Sequence, residues 1–264
     1  MLFDRRRLLG GLLLAAAGSR PVGAQDFGGD PYQSHQWLGL RKEFFGSAPL
    51  QFDDRVQVRG PAFAEDPMNV PISVMVPAAV GPVEQIMVIV DRNPIRKVLE
   101  FFPVDERAAP SLAFRFKLEQ ASPVRAAAKT RDGVWHVGGA WVDSSGGGCT
   151  VSGATRKDGS WTQTLGQVSG KLFSAALLNP AAGTRLRVKV MHPMDTGLVG
   201  GIPAFYISRL AVRDAQDREL LRLNTFEPVS ENPLFSFDFV RKDLGALRLV
   251  GVDNNGNRIN SQIE

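Results

Sequence analysis

The chain has 264 residues, of which 44% are hydrophobic, 22% charged and 8% aromatic. That balance supplies a core and excludes disordered, collagen-like and multi-span membrane proteins. A single cysteine, Cys149, rules out an intramolecular disulfide and a four-cysteine zinc site. The formal net charge of +4 invites an acidic partner such as nucleic acid, but much of the excess lies at the N-terminus.

Residues 1–24 place Arg5, Arg6 and Arg7 before an apolar run that ends in Pro21, Val22, Gly23 and Ala24. A basic start, a short apolar stretch and small residues at the end define an export signal, too short for a membrane span. The paired arginines ahead of Leu8 and Leu9 point to the twin-arginine route. Removing these residues leaves 27 basic and 26 acidic side chains, a net +1. The case for a nucleic-acid partner goes with them, and no membrane span is expected in the mature chain.

Residues 31–45 hold Trp37, Leu38, Leu40, Phe44 and Phe45 at helical spacing with Gly46 as a stop, which predicts one short helix. The period then changes. Val56 and Val58, residues 70–76, 86–90, 112–118 and 135–137 alternate or run as β-branched stretches, separated by turn signals at Gly60, Gly81, Asn93 and Asp132. This pattern predicts an antiparallel sandwich over 25–143. A second strand-rich block covers 168–178, 185–190, 206–212, 219–223, 234–239 and 247–252, ending in a turn at residues 253–256. It predicts a second sandwich within 168–264. The fold class expected is therefore all-β, two sandwiches with a short N-terminal helix.

Between them, residues 144–167 begin with a small, polar stretch that carries five glycines over 144–159 and reads as a linker unable to fix its own backbone. Cys149 lies there, after Gly146, Gly147 and Gly148. Glycines offer nothing to pack against, so the thiol is expected to be mobile, exposed and open to covalent use. A flexible segment of this length has a mean span of about 20 to 25 Å. The histidines His35, His136 and His192 lack metal-ligand spacing, the glycine triplet lacks the lysine of a phosphate loop, and no His or Met follows Cys149 as blue copper needs. Asp53, Asp54, Asp66 and Asp253 read as turn and cap residues. His192, Pro193, Met194, Asp195, Thr196 and Gly197 form a dense run that reads either as a strand end and turn or as a carrier-docking loop. No metal and no cofactor are expected beyond an adduct on Cys149.

Several short motifs, in order along the mature chain, carry a resemblance. Trp37, Phe44 to Gly46, Pro61 to Asp66, Asp91 to Pro94, Val124 to Ala128, and Gly147, Gly148 and Cys149 resemble SoxY, the sulfur-carrier subunit of the periplasmic thiosulfate-oxidising system. His192 to Gly197, Ile202, Pro203, Tyr206, Ser230 to Pro233, Phe235, Phe237 and Val252 to Gly256 resemble its partner SoxZ. The chain is thus similar to a SoxY-SoxZ fusion of the kind associated with quinoprotein dehydrogenases. The resemblance implies immunoglobulin-like sandwiches, a periplasmic location, and a carrier rather than an enzyme. It also implies a Gly-Gly-Cys-Gly-Gly arm whose thiol bears sulfur intermediates. Gly147, Gly148 and Cys149 match that arm, whereas Thr150 and Val151 replace the trailing glycines and the arm is tethered at both ends.

The function expected is a non-enzymatic periplasmic carrier holding a small sulfur-containing group on Cys149. Its partners would be Sox-type sulfur-oxidising enzymes, or a quinoprotein dehydrogenase and its cytochrome. The alternative is an accessory module for a quinoprotein (PQQ) alcohol dehydrogenase or its cytochrome, with Cys149 not essential. A thiol-dependent enzyme would need a general base that the sequence does not place near Cys149. For the leader, Arg5→Lys with Arg6→Lys is expected to abolish export, and the exported product is expected to start at or near Gln25. N-terminal sequencing of the exported fraction checks both, and an exported chain that still begins at Met1 would refute the reading.

Overall fold

The computed structural model describes residues 26–156, 159–174, 183–241 and 243–263. Residues 1–24, the expected export signal, lie outside them. Among the described residues the first half forms helix α1 (Trp37–Phe45) and strands β1 (Leu50–Phe52), β2 (Gln57–Arg59), β3 (Phe63–Ala64), β4 (Val70–Met75), β5 (Val83–Val90), β6 (Lys97–Pro103), β7 (Ala108–Phe116), β8 (Ser122–Thr130) and β9 (Trp135–Ser144). After a four-residue helix α2 (Trp161–Thr164) come β10 (Val168–Ser174), β11 (Thr184–Val190), β12 (Ile207–Arg213), β13 (Glu219–Thr225), β14 (Leu234–Phe239), β15 (Leu247–Asp253) and β16 (Arg258–Ile263). None of the helices is long and apolar enough to cross a membrane.

The fold is all-β and two-layered, as the sequence predicts. Its sheets, however, do not stop at the boundary between the halves. One sheet runs β1-β9-β8-β5-β6-β13-β12-β15-β16, with β3 also on β9, and the other runs β10-β11-β14-β7-β4-β2. The halves meet edge to edge twice. β6 pairs with β13 from Leu99 opposite Thr225 to Pro103 opposite Leu221, and β7 pairs with β14 through Ala113 opposite Ser236 and Leu112 opposite Phe237. Each half thereby covers an edge that the other would leave open to aggregation. All pairings are antiparallel except those of β1 and β3 with β9.

Two separate sandwiches imply two cores, but the structure has one continuous core between the sheets. Val88, Phe101, Leu112 and Phe116 from the first half belong to the same cluster as Leu186, Leu210, Leu223 and Phe237 from the second. Phe101 stacks on Phe237 across the seam with ring centroids 6.1 Å apart. Alternation set this up where it is clean: in β4, Val70, Ile72 and Val74 face inward. Pro71 is tolerated because the pairing with β2 ends at Ser73, so at Pro71 only β7 is a neighbour.

A second, smaller cluster lies on the outer face of the first sheet. There α1 buries Trp37, Leu40 and Phe45 against Met87, Ile89, Ala127, Trp135 and Val137, and Gly46 ends the helix at φ 56°. Beneath the chain leading into α1, the guanidinium of Arg125 donates to Asp30 at 2.7 and 2.9 Å and to Asp91 at 2.7 and 2.8 Å. It lies over the Trp37 ring at 4.4 Å and the Tyr32 ring at 5.2 Å. Only 1% of Arg125 is exposed, and its bidentate pairs are what make that burial tolerable.

Cleaving the chain within residues 144–159 at an engineered protease site is expected to leave the halves co-eluting on size exclusion and melting as one unit, because both sheets and the core cross the seam. Two independently folded pieces would refute the shared-sheet architecture.

Candidate functional site

β7 ends at Phe116, and the next three residues build the site. The Lys117 backbone N–H donates to the carbonyl of Pro228 at 2.6 Å, which ties it to the second half. The Asn93 side chain donates to the Lys117 carbonyl at 2.7 Å and accepts from the Glu119 N–H at 2.8 Å. Residues 117–119 therefore form a fixed ledge.

The glycine-rich segment lies on this ledge, contrary to the expected mobile linker. Gly146 and Gly147 turn the chain at φ 95° and 86°, conformations that side chains resist. At Gly148 a Cβ would fall 2.4 Å from the Pro67 carbonyl oxygen and 2.5 Å from that of Leu118. Gly148 thus permits close backbone approach, and the triplet serves seating as much as freedom. Residues 154–156 form a 3₁₀ turn.

Cys149 is fully buried, which corrects the expectation of an exposed thiol. Its N–H donates to one carboxylate oxygen of Glu119 at 2.8 Å, and the Thr150 hydroxyl donates to the other at 2.9 Å. Thr196 donates its hydroxyl to the Cys149 carbonyl at 2.7 Å, and the Cys149 thiol points at the Lys117 carbonyl at 3.6 Å. Further along, Glu231 accepts from the N–H groups of Ala154 and Thr155 at 3.2 and 2.9 Å. Arg156 pairs with Asp195 through its Nε at 2.7 Å and lies 4.7 Å over the Trp161 ring. Two glutamates, one from each half, hold the arm by its backbone.

Lys117 is 3% exposed and donates from Nζ to the carbonyl of Met194. Burial lowers its pKa, opposed by Cys149, Asp195 and Glu231. The Cys149 thiol is pushed up to about 12, first by burial and then by the Glu119 carboxylate, with Lys117 acting the other way. A seated Cys149 is therefore a neutral thiol at neutral pH and, in that position, a poor nucleophile.

The run from His192 to Gly197 contacts the glycine-rich segment through Thr196 on the Cys149 carbonyl and Asp195 on Arg156. His192, Pro193, Met194, Asp195 and Thr196 are buried and Gly197 alone is exposed, so the run offers little surface to a partner. Met194 takes φ 51°, its N–H donates to His192 Nδ1 at 3.0 Å and its sulfur accepts from the Ile207 N–H at 3.3 Å. With Nδ1 accepting, the proton sits on Nε2, which has no hydrogen-bond partner and lies 3.5 Å from Asp253. Burial pulls the His192 pKa down to about 4 despite Asp253. The turn at residues 253–257 is in turn organised by Asp253, which accepts from the N–H groups of Asn255 and Asn257 at 2.9 Å each.

Sequence reasoning missed Lys117, Glu119 and Glu231. Lys117 shares parity with Ala113 and Arg115 on the solvent side of β7, and it is buried where the arm and the Met194 loop meet the strand end. Among the described residues no group of three or more His, Cys, Asp or Glu side chains could hold a metal ion.

Comparison with known families matches residues 41–149 to the model for the sulfur oxidation protein SoxY, and residues 178–264 to that for the sulphur oxidation protein SoxZ. The chain therefore carries a SoxY domain followed by a SoxZ domain in one polypeptide. The SoxY match ends at Cys149 itself, so the clamping residues Glu119 and Glu231 fall one in each domain. A solved structure of the sulfur carrier protein SoxY from Chlorobium limicola f thiosulfatophilum is 20% identical, over 41% of this chain and 90% of that one, with a TM-score of 0.36. No curated protein matches the chain.

His192 sets a pH dependence. Its pKa is about 4 in the fold against an ordinary 6.5, so the stability it contributes is complete above pH 6.5 and is lost as pH falls toward 4. Protonation also turns Nδ1 into a second donor facing the Met194 N–H. Urea unfolding is expected to show about 2 to 3 kcal/mol less stability at pH 4.5 than at pH 7, a difference that His192→Gln flattens. An unchanged pH 4.5 to 7 limb in the variant would refute the assignment.

Proposed function

We propose that this protein is an exported, non-catalytic sulfur-oxidation carrier that holds a small sulfur-containing group on Cys149 and presents it to partner enzymes in the periplasm. The observation that carries this reading is how the one thiol is held. It sits at the end of the SoxY match, on a glycine arm attached to the body by polar contacts to Glu119, Thr196 and Glu231. Such contacts exchange readily for water, and Gly146, Gly147 and Gly148 remove no apolar side chain from the core when they lift. The buried position is then the resting state, which shields the thiol from oxidation between loadings. The partners would be Sox-type sulfur-oxidising enzymes or, for the quinoprotein-associated subtype that the motifs resemble, a quinoprotein dehydrogenase and its cytochrome.

One observation favours a second reading. The complete burial of Cys149 suits a structural cysteine in an accessory module for a quinoprotein alcohol dehydrogenase or its cytochrome, in which the thiol carries nothing.

The two readings differ in how the thiol becomes reachable. If the arm lifts on its own, native-state maleimide labelling is slow but far faster than global unfolding allows, and Glu119→Gln accelerates it about tenfold or more, since a hydrogen bond to a charged group is worth about 1.5 to 3 kcal/mol. Labelling should also rise above pH 9. The thiol's pKa is higher when seated than its ordinary 9, so seating is full below pH 9 and loses about 1.4 kcal/mol per pH unit above it. Intact mass of protein from its native periplasm should show an adduct that Cys149→Ser lacks. Labelling that tracks global unfolding, insensitive to Glu119→Gln, together with an unmodified native mass, would overturn the carrier reading.

A further inference from the structure

The outer face of the second sheet carries a charge pattern that the fold does not use. One register row crosses all six strands: Lys171 opposite Arg187, Arg187 opposite Ser236, Ser236 opposite Ala113, Ala113 opposite Ser73, and Ser73 opposite Arg59. Cations stand at both ends of the row and small residues in the middle. The adjoining row adds Lys189, opposite Leu234, and Arg115, opposite Pro71. Between the arginines lies a shallow cavity of about 280 Å³, lined by Arg59, Ser73, Arg115, Arg187 and Ser236 among others.

Arg59, Lys171, Arg187, Arg115 and Lys189 form no ion pair with any described residue. The carboxylate on this face, Asp238, is already engaged by Arg185 at 2.8 and 3.0 Å and by the Ser111 hydroxyl at 2.9 Å. Like charges directly opposite each other, as Lys171 and Arg187 are, cost stability in a sheet. Inside the fold Lys171 and Arg187 share only the Phe173 ring and no carboxylate, so their charges stay un-neutralised and point to an acidic contact outside the fold.

We propose that this face docks an acidic segment of a protein partner. The ends of the row are four to five strand spacings apart, about 19 to 24 Å, too wide for one small oxyanion to bridge. Phe173, 37% exposed beneath Arg187 and Lys171, gives the patch an apolar contact suited to a protein surface. The mature net charge of +1 gives no general attraction to polyanions, so the attraction is local to this face. Both halves contribute, and Arg115 stands two residues before Lys117, so a partner bound here lies beside the arm. This rests on the reading that the chain presents its thiol to partner proteins, but not on what the thiol carries.

A fluorescent peptide of about eight glutamates, roughly 26 Å when extended, matches the row in length. At about 20 mM salt, where surface charges are weakly screened, the full chain is expected to bind it, and the triple variant Arg59→Gln, Arg115→Gln, Arg187→Gln to bind at least tenfold more weakly. A control triple, Arg41→Gln, Lys42→Gln, Arg131→Gln, removes the same charge from exposed positions elsewhere and should bind as the native chain does. Carbodiimide cross-linking of the peptide to the native chain should concentrate at Lys171 and Lys189 and needs no variant. Cys149→Ser should leave all of this unchanged, which separates failure of the docking face from failure of the carrier reading. No binding, equal weakening in both triples, or cross-links spread over Lys42 and Lys129 would overturn the proposal. So would tighter binding to vesicles containing phosphatidylglycerol that the first triple abolishes, which would assign the face to a membrane.

Discussion

The pairing of β7 with β14 is the interaction on which the rest of the structure depends. It joins the halves through the second sheet, places Phe101 against Phe237 in a shared core, and brings the end of β7 to the loop that carries Met194. Without it, Lys117 would have no carbonyl to meet and would remain an exposed strand-end lysine. The same pairing puts Arg115 on one face with Arg187 and Lys189 of β11, so the basic face also exists only in the joined chain.

In the proposed function the thiol would face conflicting requirements. Reactivity asks for a thiolate in water, while protection from oxidation asks for a shielded thiol. Burial and the Glu119 carboxylate keep Cys149 protonated when seated. The arm is fixed by hydrogen bonds from both halves, and water can replace each of them. Lys117 acts against the rise in the Cys149 pKa, though its ammonium is spent on the Met194 carbonyl. His192 supports the same loop through the Met194 N–H.

Tethering the arm at both ends alters what it can do. The segment leaves from β9 and returns to the body at Glu231 and Asp195 within a few residues, so it can lift as a loop but cannot sweep as a free end. In the proposed function a partner would come to the arm, and the docking face proposed above would replace reach. The close contact at Gly148 and the buried run from His192 to Thr196 show how the body is shaped to receive the arm again.

Hydropathy alternation and turn residues were enough to show an all-β chain with one short helix, because strands with one buried face write their burial directly into the sequence, as β4 and β11 do. β8 was not legible in that way. Both its faces are covered, one by the core and one by α1, so Ala126, Ala127 and Ala128 replace alternation with uniformly small residues. The sequence singled out Cys149 because it is the one thiol, set among glycines, and the motifs around it carried the family resemblance. Its burial was not legible, since a glycine run reads the same whether it serves mobility or close approach, and only the positions of Pro67 and Leu118 decide which. Lys117, Glu119 and Glu231 were decided by tertiary structure alone: their partners are far away in sequence, and a charged residue on a strand's polar face looks solvated until another part of the chain covers it.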